Sequence, residues 1–79
     1  MRKALTTMAV AALAVPEKGQ YDCWDKKQPG FGIRVSYGGA KRWVLMFRSG
    51  GVKKRLVLGS FPAMGLSDAR QAARRYLGE

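Results

Sequence analysis

RWVLMFRSGGVKKRLVL, residues 42–58, reads as two strands hinged on Gly50-Gly51, one face apolar and the other basic. Folding about that two-residue turn sets Arg48 opposite Lys53, Met46 opposite Arg55 and Val44 opposite Val57. The reverse face pairs Leu45 with Leu56, Trp43 with Leu58 and Phe47 with Lys54. A Gly-Gly loop supplies the positive backbone dihedrals that a tight hairpin turn requires. A slip of one residue would carry every side chain to the wrong face, so the register is strongly specified.

Upstream, Phe31 to Ser36 alternates, with Phe31, Ile33 and Val35 one way and Gly32, Arg34 and Ser36 the other. Parity selects the link to the next strand. A two-residue loop at Gly38-Gly39 would put Val35 opposite Arg42 and mix the faces. A three-residue loop, Gly38 to Ala40, pairs Val35 with Trp43, Ile33 with Leu45 and Phe31 with Phe47, and such loops welcome glycine at their left-handed position. The expected core face is then Phe31, Ile33, Val35, Trp43, Leu45, Phe47, Leu56 and Leu58. The other face carries Arg34, Ser36, Arg42, Val44, Met46, Arg48, Lys53, Arg55 and Val57.

Gln20 to Asp25 alternates weakly and reads as a short edge strand, followed by a turn at Pro29-Gly30. Gly59 and Pro62 are expected to end the last strand. Ser67 is a candidate helix cap with Asp68 just inside it, where a negative charge suits the helix dipole. Ala69, Ala72, Ala73, Tyr76 and Leu77 follow at helical spacing as one apolar stripe; Arg70, Gln71 and Arg74 are expected on the opposite side. Gly78 is a candidate C-cap. The fold class is therefore α+β: a three-stranded antiparallel sheet, with a short amino-terminal helix and a short edge strand, packed against a carboxy-terminal helix.

The amino terminus has two readings. MRKALTTMAVAALAVP has the basic start, apolar run and Ala12-Leu13-Ala14 triplet of a secretory signal. It also suits a short helix capped by Thr6 or Thr7, with Leu5, Val10 and Leu13 near its buried side and Pro16 beyond its end. The basic ribbon and the lone Cys23 favour the helix and a cytoplasmic setting. No segment reaches the roughly 18–20 apolar residues that span a bilayer, and no membrane partner is expected.

Seventy-nine residues make one small domain, residues 1–79. Lys and Arg number 15 against 5 acidic residues, a net charge of +10 that attracts polyanions, nucleic acid first. With no histidine and one cysteine, the chain offers little for metal sites or acid–base catalysis, and no cofactor is expected. Tyr21, Tyr37 and Tyr76 read as surface residues rather than nucleophiles, and the glycines as turn and strand glycines, without a phosphate-loop pattern.

The run PEKGQYDCWDKKQPGFGIRVSYGGAKRWVLMFRSGG, followed by RLVLGSFPAMGLSDARQAAR, resembles the amino-terminal arm-type DNA-binding domain of phage and genomic-island integrases, which are tyrosine recombinases. The matching features are Asp22-x-Trp24-Asp25, Pro29-Gly30-Phe31-Gly32-Ile33-Arg34-Val35, the Trp43 strand, Leu58-Gly59-x-Phe61-Pro62-Ala63 and Leu66-Ser67-Asp68-Ala69-Arg70. Leu5-Thr6, Val10 and Leu13 resemble that family's first helix. Ala14 departs from a frequent lysine, and Cys23 from a usual aliphatic residue. The resemblance implies a non-catalytic module that lays its sheet on arm-site DNA during integration and excision. Core-binding and catalytic domains would follow it in a longer integrase, and other protomers could join it in a recombination complex.

A two-stranded ribbon fits the major groove, where base edges are distinguishable. The expected DNA contacts are Arg34, Ser36, Lys41, Arg42, Arg48, Lys53, Lys54 and Arg55. Arg34, interior to the sheet beside Val44 and Val57, is the first candidate for a base edge, and Arg55 the second. Arg48, Lys53 and Lys54 cluster at the hairpin tip for phosphates, with Lys41 and Arg42 at the other end. Val44, Met46 and Val57 receive no site role, and Trp43 and Phe47 are assigned to the core. The rivals are a double-stranded RNA-binding module, a secreted cationic protein with a cleaved signal, and a protein-docking module.

Overall fold

The computed structural model describes residues 2–78. The elements in chain order are β1 (Arg2–Lys3), α1 (Thr7–Ala11), β2 (Gln20–Asp25), β3 (Phe31–Ser36), β4 (Lys41–Ser49), β5 (Val52–Phe61) and α2 (Leu66–Leu77). They form one five-stranded sheet in the order β1-β2-β3-β4-β5 with α1 and α2 on a single face. The α+β class is as expected, but the sheet is larger than three strands and mixed. β1 adds in parallel to β2, pairing Arg2 with Trp24 and Lys3 with Asp25. Two residues are too few to show any periodicity, which is why the sequence pattern is silent there.

The hairpin of β4 and β5 has the expected register from Val44 to Ser49, and Gly50 and Gly51 both have positive φ, 59° and 79°. The pairing changes lower down: Val44 faces Val57, but Trp43 faces Gly59, not Leu58. Leu58 is the extra residue of a β-bulge, and bulges bend a strand and add twist. β5 then continues past Gly59 to Phe61, where Trp43 meets the Phe61 ring edge-on at 6.1 Å.

The β3–β4 loop corrects the expected pairing. The Ser36 amide donates to the Ala40 carbonyl at 2.9 Å, so Tyr37 to Gly39 form the loop proper. The length is three residues, as parity requires, but the loop sits one position earlier. The reason is conformational: its last residue is left-handed, and this placement gives that position to Gly39 (φ 91°) instead of Ala40. Ile33 therefore faces Trp43 and Phe31 faces Leu45, a two-residue slip that preserves both faces.

The core is Leu5, Val10, Leu13, Cys23, Phe31, Ile33, Val35, Trp43, Leu45, Leu66, Ala69 and Ala73. Trp43 is fully buried, stacks on Phe31 at 5.4 Å and donates its indole N–H to the Met64 carbonyl at 2.7 Å, as its assignment to the core requires. Phe47 is half-buried, edge-on to Tyr76. α1 is capped by Thr6, whose Oγ1 accepts from the Ala9 amide. The residues a leader peptide would shed thus supply Leu5, Val10 and Leu13 to the interior.

α2 departs from expectation at its start and on one flank. Leu66 is helical and buried, Gly65 occupies the cap position without a side-chain bond, and Ser67 lies inside the first turn. The helix begins earlier because Leu66 belongs to the packed stripe. Gly78 closes the helix in the left-handed conformation. Arg70 does not lie on the solvent side: it bonds the buried Asp25 carboxylate at 2.8 Å and the Leu5 carbonyl at 2.8 Å. Arg74 donates to Gln28 Oε1. Arg70 thus faces the amino-terminal segment and Arg74 the β2–β3 turn.

Candidate nucleic-acid interface

Strand parity divides β2 sharply. Cys23 and Asp25 enter the helix side; Asp22 and Trp24 project from the bare side, opposite Arg34 and Gly32 respectively. Gly32 is required by close approach, since a Cβ there would stand 2.7 Å from the Trp24 ring and 2.6 Å from the Cys23 carbonyl oxygen. Trp24 can therefore lie flat over β3. Val44, opposite Gly32, is 1% exposed although it belongs to the bare face, so this face has a small apolar floor.

Five cations of β3, β4 and β5 stand on that floor: Arg34, Arg42, Arg48, Lys53 and Arg55 share the face opposite α1 and α2. Arg34 lies opposite Arg42, not beside Val44 as the earlier pairing implied. Like charges directly opposed across strands are unfavourable unless something neutralises them. Asp22 does so in part. Its carboxylate accepts from Arg34 Nε at 2.8 Å and Nη2 at 3.2 Å, and from Arg55 Nη2 at 3.2 Å. Arg55 Nε also donates to the Met46 sulfur. Arg42 is exposed.

The hairpin outreaches the rest of the sheet. β3 pairs with β4 only from Lys41 to Leu45, whereas β5 pairs with it as far as Ser49. Beyond Met46, whose amide donates to the Gly30 carbonyl at 2.8 Å, the chain from Phe47 to Lys54 is a two-stranded ribbon, with Arg48 opposite Lys53 near its tip. Below it opens a cavity of about 460 Å³ lined by Arg2, Trp24, Met46, Arg48, Lys53 and Arg55.

The expected contact residues do not all converge. Arg34, Ser36, Arg42, Arg48, Lys53 and Arg55 share the bare face. Lys54 is exposed near the tip but opposite Phe47, on the other side of the ribbon. Lys41 turns to the helix side, where its ammonium donates to the Val10 and Ala11 carbonyls, both at 3.0 Å. It caps the carbonyl end of α1, where a cation is favoured. Three residues of this face were not among the expected contacts: Asp22, Trp24 and Arg2. The alternation of Gln20 to Asp25 carried a signal for the first two, but Arg2 carried none.

Asp25 does the structural work on the opposite face. Burial would push its carboxyl up; the Arg70 guanidinium and the amides of Lys27 and Leu5 outweigh that and hold it below the ordinary value of 3.8. It thereby ties β2, the amino-terminal segment and α2 together.

A small α+β unit whose sheet is helix-backed on one face and cationic on the other is a nucleic-acid-binding module in form. The model of the arm DNA-binding domain family matches residues 5–79, nearly the whole chain, and the chain belongs to that family. No curated protein matches it. Its partner is accordingly DNA, and the domain is of the DNA-binding, non-catalytic kind. Among the described residues no helix is long and apolar enough to cross a membrane, and no group of metal-ligating side chains is present.

Proposed function

We propose that this chain is the arm-site module of a phage-like integrase, holding duplex DNA against the bare face of its sheet during integration and excision. The observation that carries the reading is the set of five cations that β3, β4 and β5 place on the one face the helices leave open. A ribbon of two strands is narrow enough for the major groove, whose edges carry a full donor and acceptor code. Arg34 and Arg55, central on the face, read bases. Arg48, Lys53 and Lys54 at the tip, and Arg42 and Ser36 at the far end, hold phosphates and set the register on the duplex. Lys41, engaged with α1, contributes charge rather than a direct contact. In this reading the module works in the cytoplasm as part of a longer recombinase, beside other protomers on the same DNA.

Amide shift mapping with a duplex oligonucleotide tests the assignment. Perturbations should gather on β3, β4 and β5; a response confined to α2 with silent strands overturns it. About six phosphate contacts should lose roughly a thousandfold in affinity between about 50 and 200 mM salt, and a flat titration refutes the electrostatic mode. Duplex RNA should compete poorly, because the A-form major groove is too narrow for a ribbon.

A further inference from the structure

We infer that Asp22 is a specificity-determining positioning residue: it holds the guanidinium groups of Arg34 and Arg55 in fixed orientation for base edges and disfavours indiscriminate phosphate binding. The inference rests on the DNA reading above and adds to it an acidic residue at the centre of a cationic face.

The geometry is that of a buttress. Asp22 takes Nε and one Nη2 hydrogen of Arg34, which occupies one edge of the guanidinium plane. Asp22 leaves the other edge, with both Nη1 hydrogens and the second Nη2 hydrogen, unused. Bidentate recognition of a guanine edge uses two such parallel donors. Asp22 also draws in Arg55 from β5, three strands away, while the Met46 sulfur takes its Nε. Two long, otherwise rotamer-rich side chains are thereby anchored to one carboxylate before any ligand arrives. The side-chain exposures of the trio, 18% for Asp22, 25% for Arg34 and 32% for Arg55, describe partly desolvated charges rather than freely solvated ones.

The same carboxylate lowers the charge of this face. A negative group there repels phosphates that approach without a compensating base contact, so it costs random duplex binding more than matched binding. Specificity is a difference of affinities, and a repulsive element against the wrong partner raises it.

The test uses the 79-residue chain and a pool of random 20-base-pair duplexes, selected in parallel with the wild type and with Asp22→Asn. The best wild-type duplex and the unselected pool then serve as titration probes for both proteins. Asp22→Asn should bind the pool several-fold more tightly, with a salt slope steeper by about one, and its matched-to-pool affinity ratio should fall roughly tenfold. Thermal unfolding of both proteins gives the folded fraction. Should Asp22→Asn be unfolded at the working temperature, Asp22→Glu carries the test, because it keeps the charge but moves the carboxylate by one methylene, and the ratio should still fall. An unchanged ratio, with matched and pool affinities rising or falling together, overturns the inference. If the wild type itself enriches no sequence and does not bind the pool, the DNA reading fails instead.

Discussion

Two aspartates three residues apart on β2 meet arginines on opposite faces of one sheet, with different consequences. Asp25 has a fully buried side chain, and its partner Arg70 is 17% exposed. Asp22 is 18% exposed and shared between Arg34 and Arg55, both more open still. The inner pair also engages backbone amides of Leu5 and Lys27 and the carbonyl of Leu5, so removing a partner strands a buried charge and several backbone groups at once. Around the outer trio, water can replace any lost partner. The same chemical pair is therefore a structural tie on one face and an adjustable binding element on the other, and burial makes the difference.

The largest expected effect breaks the inner pair. Arg70→Ala leaves the Asp25 carboxylate buried without its cation and should cost about 3–5 kcal/mol, read from chemical denaturation. Acid attacks the same tie. Because Asp25 titrates lower in the folded chain than its ordinary 3.8, its contribution is complete above that value and lost as pH falls through the lowered one. The urea midpoint of the wild type should accordingly fall as the pH drops below about 4. Asp25→Asn, already destabilised, should show a shallower drop over the same range.

Neighbouring Lys41 and Arg42 sharpen the contrast, since they point to opposite faces. Lys41→Ala forfeits two charged bonds to α1 carbonyls and should cost about 1.5 kcal/mol of stability. Arg42→Ala should change stability by less than about 0.5 kcal/mol while lowering the salt slope of duplex binding by about one. A large stability loss in Arg42→Ala would mean that the bare face also holds the fold. Asp22→Ala should cost about 1 kcal/mol or less, as for partly exposed ion pairs generally. A loss as large as that of Arg70→Ala would erase the distinction between the faces.

Much of this arrangement is legible in the residues. The period-two alternation of β3, β4 and β5 assigned inside and outside correctly, because a strand offers only two sides. The Gly50-Gly51 turn set the hairpin, and Thr6 or Thr7, Val10 and Leu13 suited a short helix as well as a secretory signal. The candidate face was legible for the same reason: Arg34, Arg42, Arg48, Lys53 and Arg55 share one parity. What escaped was whatever depends on contacts between distant segments. Arg70 follows a helical pattern that suits solvent equally well, until Asp25 arrives beside it from 45 positions away. Lys41 resembles every other strand lysine until α1 presents two carbonyls to it.

Local composition by itself determined the elements, the turn, the two-sided sheet and the positive charge, because these follow from dihedral preference, side-chain period and simple valence. The tertiary structure alone decided the parallel strand at Arg2–Lys3, the Leu58 bulge, the slipped β3–β4 register and the partner of each arginine. Those outcomes are settled by packing and by the cost of leaving a buried polar group unpaired, and both are properties of the assembled chain rather than of any one segment.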